Sequence, residues 1–268
     1  MEFMGAIAEP FAAQVQCSFL GWPPDMQVPL RQWTSRNQRA TLAQDRAALA
    51  KLAREFDEHV KTLLQARETA NSGVTDDATS RLMRSRVGGR PLTTEEIVSV
   101  LRNWTVGEIG TISSALGILA AHVASDAELQ NQLRNQSSLI PAAVDEILRI
   151  HGPLIANRRV ATRPVVIRGR HIAAGERLSL MWPSANRDED VFPDAATLRL
   201  ERNQSFNLLY GAGIHVCPGA YLARMELRVV LEELLMHTTH IAISKDSSPA
   251  KAVYPASGYS SLVLRDEP

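Results

Sequence analysis

The sequence predicts a mainly α fold, α+β in its last part, on three observations. Through roughly the first 150 residues, apolar side chains recur three and four apart, the spacing of one helix face. After Gly152-Pro153 the pattern changes to short β-rich runs divided by glycines. A last helical stretch then follows a glycine-rich loop around Cys217.

The elements follow in order. Residues 3–20 have helical spacing and stop at Gly21-Trp22-Pro23-Pro24. Leu42, Leu49, Leu52, Phe56, Val60, Leu63 and Leu64, with charges between them, predict one long amphipathic helix over about 35–70. Asn71-Ser72-Gly73 ends it. Asp76 or Asp77 caps a short helix through Val87, broken by Gly88-Gly89. Thr93 and Glu96 form a capping box for the longest apolar helix, to about Ala124. Ser125 and Glu128 form a second box and restart a helix at once. Pro141 opens another, which ends at Gly152-Pro153. Val165-Val166-Ile167, His171-Ile172 and Leu178-Ser179-Leu180, with turns at Gly169 and Gly175, predict small antiparallel strands. Irregular chain fills 183–204, a helix covers 220 to about 236, and 241–243 with 262–264 form a closing strand pair. No repeat or linker divides the chain, so one domain over 1–268 is expected, helix-rich in 1–153 and β-containing in 154–268.

Composition excludes several classes. Hydrophobic residues make up 45% and charged residues 22%, and 29 basic side chains balance 29 acidic ones. Nothing in that balance points to nucleic acid. Residues 1–10 carry Glu2 and Glu9 and lack the basic start of a signal peptide. The uncharged window 109–125 is short for a span and holds Thr111, Ser113, Ser114 and His122, so a buried core helix and no membrane association are expected. Two cysteines make no disulfide framework, and a reduced, cytoplasmic protein follows.

The loop around Cys217 carries the chemistry. Gly211, Gly213 and Gly219 permit unusual φ and close backbone approach. A metal-ligating thiolate needs N–H dipoles and a helix N-terminus to stabilise it, and the helix from Ala220 supplies one. Other chemistries stand beside this one. A structural zinc needs several Cys or His ligands where the nearby chain has one Cys. A His215–Cys217 nucleophile pair has no obvious third orienting group, and Ile214 and Val216 suit a ligand face better. The plainest alternative is an inert buried cysteine in a turn.

Four segments together carry a resemblance. The run 210–219, Tyr-Gly-Ala-Gly-Ile-His-Val-Cys-Pro-Gly, resembles the haem-ligand loop of the cytochrome P-450 superfamily, with Tyr210 where Phe is usual. Leu222-Ala223-Arg224 on to Glu226 is similar to the helix after it. Glu146-Ile147-Leu148-Arg149 resembles the family's Glu-x-x-Arg. Asn186-Arg187-Asp188, Phe192-Pro193-Asp194 and Arg202 resemble the segment that completes a Glu–Arg–Arg core.

The resemblance implies a bacterial soluble type with a cytochrome P-450-like helical core and small antiparallel β-sheets, lacking the usual N-terminal part. It implies haem b as cofactor, with Cys217 as the axial metal ligand. Tyr210, Gly211, Gly213 and Gly219 would shape the loop, and His215 and Arg159 would meet the propionates; a solvated pair is the other reading of Arg158 and Arg159. Glu146, Arg149 and Arg202 would form the structural core. The implied activity is a monooxygenase that inserts one oxygen atom of O2, or of peroxide, into a small apolar substrate. Its electrons would come from a separate ferredoxin-like partner docked near the cysteine loop, with Arg224 on offer.

Two departures from the family pattern stand out. The chain lacks the family's N-terminal part, which would uncover apolar surface and favour self-association into a homo-oligomer. On the long helix, Ile109 and Gly110 occupy the places of the usual acid and threonine. Glu108 and Thr111 flank them as candidate catalytic proton carriers. Gly107, Gly110 and Gly117 suit a flat cofactor, a local bulge or close helix packing. A degenerate, non-catalytic P-450-like protein and a Cys–His hydrolase remain as alternatives.

Overall fold

A computed structural model describes residues 1–69 and 76–267. They fall into two units, Gly5–Ser113 and Met1–Met4 with Ser114–Pro268, and the boundary lies inside one long helix. The expected stop at Asn71-Ser72-Gly73 lies outside the described residues.

In the first unit a π-helical turn, Met4–Ala8, leads into α1, Glu9–Leu20. Gly21 closes α1 in the left-handed region at φ 65°, and a Cβ there would lie 2.4 Å from the Asp77 carboxyl. The expected long helix is two, α2 (Gln27–Leu42) and α3 (Arg46–Thr69). The physical reason is local. Gln44 turns left-handed at φ 55°, and the Asp45 carboxylate accepts from Ala48 N–H at 2.9 Å, capping a fresh helix. Leu52, Phe56, Val60 and Leu64, four apart, form the buried stripe of α3.

Helix α4 (Ala78–Arg84) is capped by Asp77, which accepts from Ser80 N–H at 2.8 Å. It stops short of Val87, because β1 (Arg86–Val87) folds back on β2 (Arg90–Pro91) around Gly88-Gly89. The box before α5 (Thr94–Ser125) forms as read: Glu96 N–H donates to Thr93 Oγ1 at 3.2 Å and Thr93 N–H to Glu96 Oε2 at 2.8 Å. Helix α5 is long and apolar enough to cross a membrane by length and composition, but 72% of its apolar window is buried in protein. It is a core helix.

In the second unit α6 (Ala127–Asn135) begins without the expected Ser125–Glu128 box. Ser125 Oγ is spent on Ala121 O at 2.7 Å, finishing α5, and Asp126 caps instead, accepting from Leu129 N–H at 2.9 Å. Helix α7 (Ile140–His151) has Pro141 in its first turn. Strand β3 (Ala156–Val160) pairs antiparallel with β6 (Arg177–Met181), and β4 (Val165–Ile167) with β5 (Arg170–Ile172). A short α8 (Trp182–Ala185) and irregular chain precede α9, Ala220–Met236, at the expected bounds.

Strand β7 (His240–Ile243) pairs with β10 (Leu264–Glu267), two residues later than read. Residues 262 and 263 are taken by the N-terminus: Phe3 N–H donates to Leu262 O at 2.8 Å and Glu2 bridges Val263. The small pair β8 (Ala250–Lys251) and β9 (Tyr259–Ser261) had no sequence signal. Helices α6, α7 and α9 share a core in which Leu133, Ile147, Leu148, Leu227 and Leu231 are at most 2% exposed. Each such side chain contributes about 1.5–3 kcal/mol of transfer free energy.

Candidate functional site

Behind the cysteine loop lies a buried charge cluster on α7. Glu146 and Arg149, one turn apart, are both 0% exposed. Arg149 Nε and Nη2 fork onto the Glu146 carboxylate at 2.8 Å each, and its Nη1 donates to Asn186 O at 2.6 Å. Arg202 Nε donates to Glu146 Oε1 at 2.8 Å and Gln204 Nε2 to Oε2 at 2.9 Å. The rest of the Arg202 fork donates to the backbone of Pro193, Asp194 and Thr197. Burial alone would raise the Glu146 pKa. The hydrogen bonds from Arg149, Gln204 and Arg202 outweigh it and hold the carboxyl at about 2.

The cluster reaches the cysteine loop through two asparagines. Asn186 Oδ1 accepts from Leu208 N–H at 2.8 Å, and its Nδ2 donates to Asn207 Oδ1 at 3.1 Å. Asn207 Nδ2 donates to Gln204 Oε1 and to Asp145 O, and its Oδ1 accepts from Leu209 N–H at 2.9 Å. Glu146, Arg149 and Arg202 are thus joined by hydrogen bonds. Gln204 and the joining roles of Asn186 and Asn207 were missed. The one local signal was the Asx-turn habit of Asn207 in a Gly-rich stretch.

Cys217 itself is a free, exposed thiol just before α9. Its N–H donates to Tyr210 O at 2.8 Å, and the chain between them closes as a turn with a 3-10 segment, Gly213–His215. Gly211 has φ 77°, and a Cβ there would press on His215 O at 2.8 Å, so this position requires glycine. Gly213 is also left-handed, at φ 60°. Gly219 is not, at φ −88°, so the expected need for glycine conformation does not hold there.

Ile214 is 97% exposed and Val216 52%. A bare thiol flanked by bare aliphatic side chains fits a large flat apolar group whose metal the sulfur ligates, and haem is such a group. Exposure also removes the buried-cysteine reading. Among the described residues no three His, Cys, Asp or Glu side chains gather to hold a metal ion, which leaves the zinc reading without ligands. The other thiol, Cys17, is buried in α1, and desolvation with the nearby Asp25 charge pushes its pKa up to about 11.

Arg224 is more committed than the sequence suggested. Its Nε donates to both Asp145 carboxylate oxygens at 3.2 Å, and its guanidinium lies 4.4 Å from the Tyr210 ring centroid. It clamps the tyrosine at the loop's base. The Tyr210 hydroxyl is buried with no hydrogen-bond partner among the described residues, and burial raises its pKa. His215 is exposed on the loop, with its N–H on Ala212 O. Arg159 is half-buried on β3 and donates from Nη1 to Arg158 O at 2.8 Å. Its neighbour Arg158 turns to the exposed face, onto Ser179 Oγ at 2.7 Å and the Tyr254 hydroxyl at 3.3 Å.

On α5, in the first unit, Ile109 is 3% exposed and Glu108 7%, whereas Gly107, Gly110 and Thr111 form an open strip. A Cβ added at Gly107 or Gly110 would meet nothing within 4 Å. At Gly117, in the second unit, it would lie 2.6 Å from Met4 Sδ. So Gly117 serves close packing and the other two do not. The helix runs unbroken through all three, without the bulge considered from the sequence.

The site thus combines a free thiol at a helix start, a glycine-shaped turn and a buried Glu–Arg–Arg cluster. The Cytochrome P450 family model matches residues 14–253, and the chain belongs to that family, whose members bind haem b. It is 31% identical over 239 residues to the methyl-branched lipid omega-hydroxylase of Mycobacterium bovis, covering 87% of this chain and 55% of the relative. It is 29% identical over 247 residues to the steroid C26-monooxygenase of Mycolicibacterium smegmatis, covering 92% and 62%. The chain therefore spans little more than half the length of these curated relatives. The ligand-free structure of cytochrome P450 TbtJ1 superposes with a TM-score of 0.90 at 28% identity, covering all of this chain and 71% of that one. Neither the hydrolase nor the non-catalytic alternative draws support from these relatives.

Proposed function

We propose that this chain is a haem-thiolate oxidoreductase that inserts one oxygen atom, from O2 or peroxide, into a small apolar substrate. The observation that carries the reading is the exposed Cys217 thiol, fixed through its N–H to Tyr210 at the head of α9 beside bare Ile214 and Val216. Bound haem would supply the oxygen-activating chemistry, which a thiolate ligand promotes by donating electron density.

The chain's own residues do the rest. Cys217 would hold the iron. Gly211 and Gly213 hold the loop shape, Tyr210 and Gly219 bound it, and His215 and Arg159 would meet the propionates. Glu146, Arg149 and Arg202 lock the loop's base. With Ile109 and Gly110 in the places of the usual acid and threonine, Thr111 on the open strip and the buried Glu108 would carry the protons.

Two relatives named for lipid and steroid oxidation support an apolar substrate. In this reading the protein is one cytoplasmic domain and takes electrons from a separate ferredoxin-like donor. It also self-associates, because Val165, Val166 and Ile167 on the β4–β5 hairpin are all exposed. A monodisperse monomer by light scattering overturns that last point.

The main test is spectroscopic. With haem added, the sample reduced and carbon monoxide bound, the Soret band falls where thiolate-ligated complexes absorb, well to the red of histidine-ligated ones. Cys217→Ser abolishes that band and Cys17→Ser leaves it. A folded sample without the band overturns the proposal. Turnover of apolar substrates with peroxide above that of free haem tests the activity separately. Thr111→Val is expected to slow O2-driven turnover more than peroxide-driven turnover.

A further inference from the structure

A cavity of about 120 Å³ opens between α2 and α3, lined wholly by residues of the first unit and by none of the site residues above. Its floor is aromatic. Trp22, Trp33 and Phe56 are each at most 4% exposed, and the Phe56 ring lies 4.8 Å from Trp33 and 6.2 Å from Trp22 between centroids. Both indoles are held by their N–H groups, Trp22 on Thr79 Oγ1 at 3.0 Å and Trp33 on Leu52 O at 2.9 Å. Their polar edges are spent, so the rings offer the cavity carbon faces in a fixed arrangement.

The rim is polar and solvent-facing. Arg36 from α2 forks onto Glu55 from α3, Nη1 to Oε2 at 3.0 Å and Nη2 to Oε1. His59, one turn on, sets Nδ1 against Glu55 O at 2.8 Å, and the Gln32 amide stands on the exposed edge.

These features select a guest. A dry apolar cavity of about 150 Å³ holds benzene, so this one, slightly smaller and open at its mouth, takes a single six-membered ring. Water at the aromatic floor is a poor occupant, since it needs 2–4 polar partners and the polar groups stand only at the rim. One rim cation is matched by one rim anion, so neither a cationic nor an anionic guest gains from the mouth. The rim keeps hydrogen-bonding capacity for one neutral polar group. We infer that this cavity binds a small uncharged aromatic molecule of the phenol kind, ring against Trp22, Trp33 and Phe56 and polar group at the Gln32–Arg36 edge. The inference does not rest on the proposed oxygenase activity.

The probe is 4-fluorophenol, followed by 19F NMR on the full chain. Saturable binding to one site in the millimolar range or tighter is expected. Val60→Phe fills the cavity from its wall and weakens binding at least tenfold, while the circular dichroism spectrum stays that of the parent. If Val60→Phe does not fold, Met26→Trp at the mouth serves as the blocking variant, with the same expected loss. Benzylamine and benzoate bind at least tenfold more weakly than the neutral probe. Non-saturable binding, or undiminished affinity in the folded blocked variant, overturns the site. Equal affinity for the charged rings overturns the ligand class.

Discussion

The base of the cysteine loop and the open strip of α5 are built on opposite plans. At the loop's base the buried carboxylate is answered: Glu146 takes hydrogen bonds from Arg149, Arg202, Gln204 and the Arg199 N–H, and Asn186 and Asn207 carry the network to Leu208 and Leu209. On α5 the strip of Gly107, Gly110 and Thr111 touches little, and an added Cβ at either glycine meets empty space. Buried charge demands complete satisfaction, so the first region tolerates little change. The second carries no such constraint. What would fix the thiol is over-determined, and the strip is held by few packing contacts, which agrees with a chain that has the family's loop and an altered acid and threonine.

The contrast can be broken hardest at Glu146. Glu146→Ala leaves the Arg149 guanidinium buried without its carboxylate and should cost about 3–5 kcal/mol, read as a fall in the urea midpoint. A loss under 1 kcal/mol would mean the cluster is not the anchor described. Acid probes the same carboxylate. Its folded pKa, about 2, lies below the ordinary 4.5, so its stabilisation is full above pH 4.5. That contribution fades as pH falls from about 4.5 towards 2, and Glu146→Gln should flatten this part of the stability profile. An unchanged acid limb in that variant would remove Glu146 as its cause.

Smaller changes sharpen the comparison. The Tyr210 hydroxyl is buried without a hydrogen-bond partner among the described residues, so Tyr210→Phe should stabilise by about 1 kcal/mol. Destabilisation by that variant would show that the hydroxyl has a partner in solution. On the strip, Gly110→Ala should gain about 0.5–1 kcal/mol, because the helix loses a flexible residue and the methyl meets nothing. Gly117→Ala should gain less or lose, because Met4 must move. Equal gains at both positions, by thermal melting, would contradict the packing difference.

Much of this was legible in the sequence where the cause is local. The α5 box needs only Thr93 and Glu96, the α9 bounds follow from the glycines and apolar spacing, and Glu146 and Arg149 share a helix face by spacing alone. The misreadings came where two local options competed. Asp45 offered a cap that split one expected helix into α2 and α3, and Ser125 bonded backward to α5 and ceded α6 to Asp126.

The sequence by itself determined the helical frame, the four motif segments and the identity of the thiol. It did so because helix periodicity, capping and turn chemistry act over a few residues. Only the tertiary structure decided what is covered and what is bare: that Gln204 and two asparagines complete the Glu146 cluster, that Arg224 is spent on Tyr210 and Asp145, and that an aromatic cavity stands between α2 and α3. Burial and hydrogen-bond partnership depend on distant segments meeting in space, as Asp145 and Arg224 do from 79 residues apart, and no local pattern encodes which polar group will find which partner.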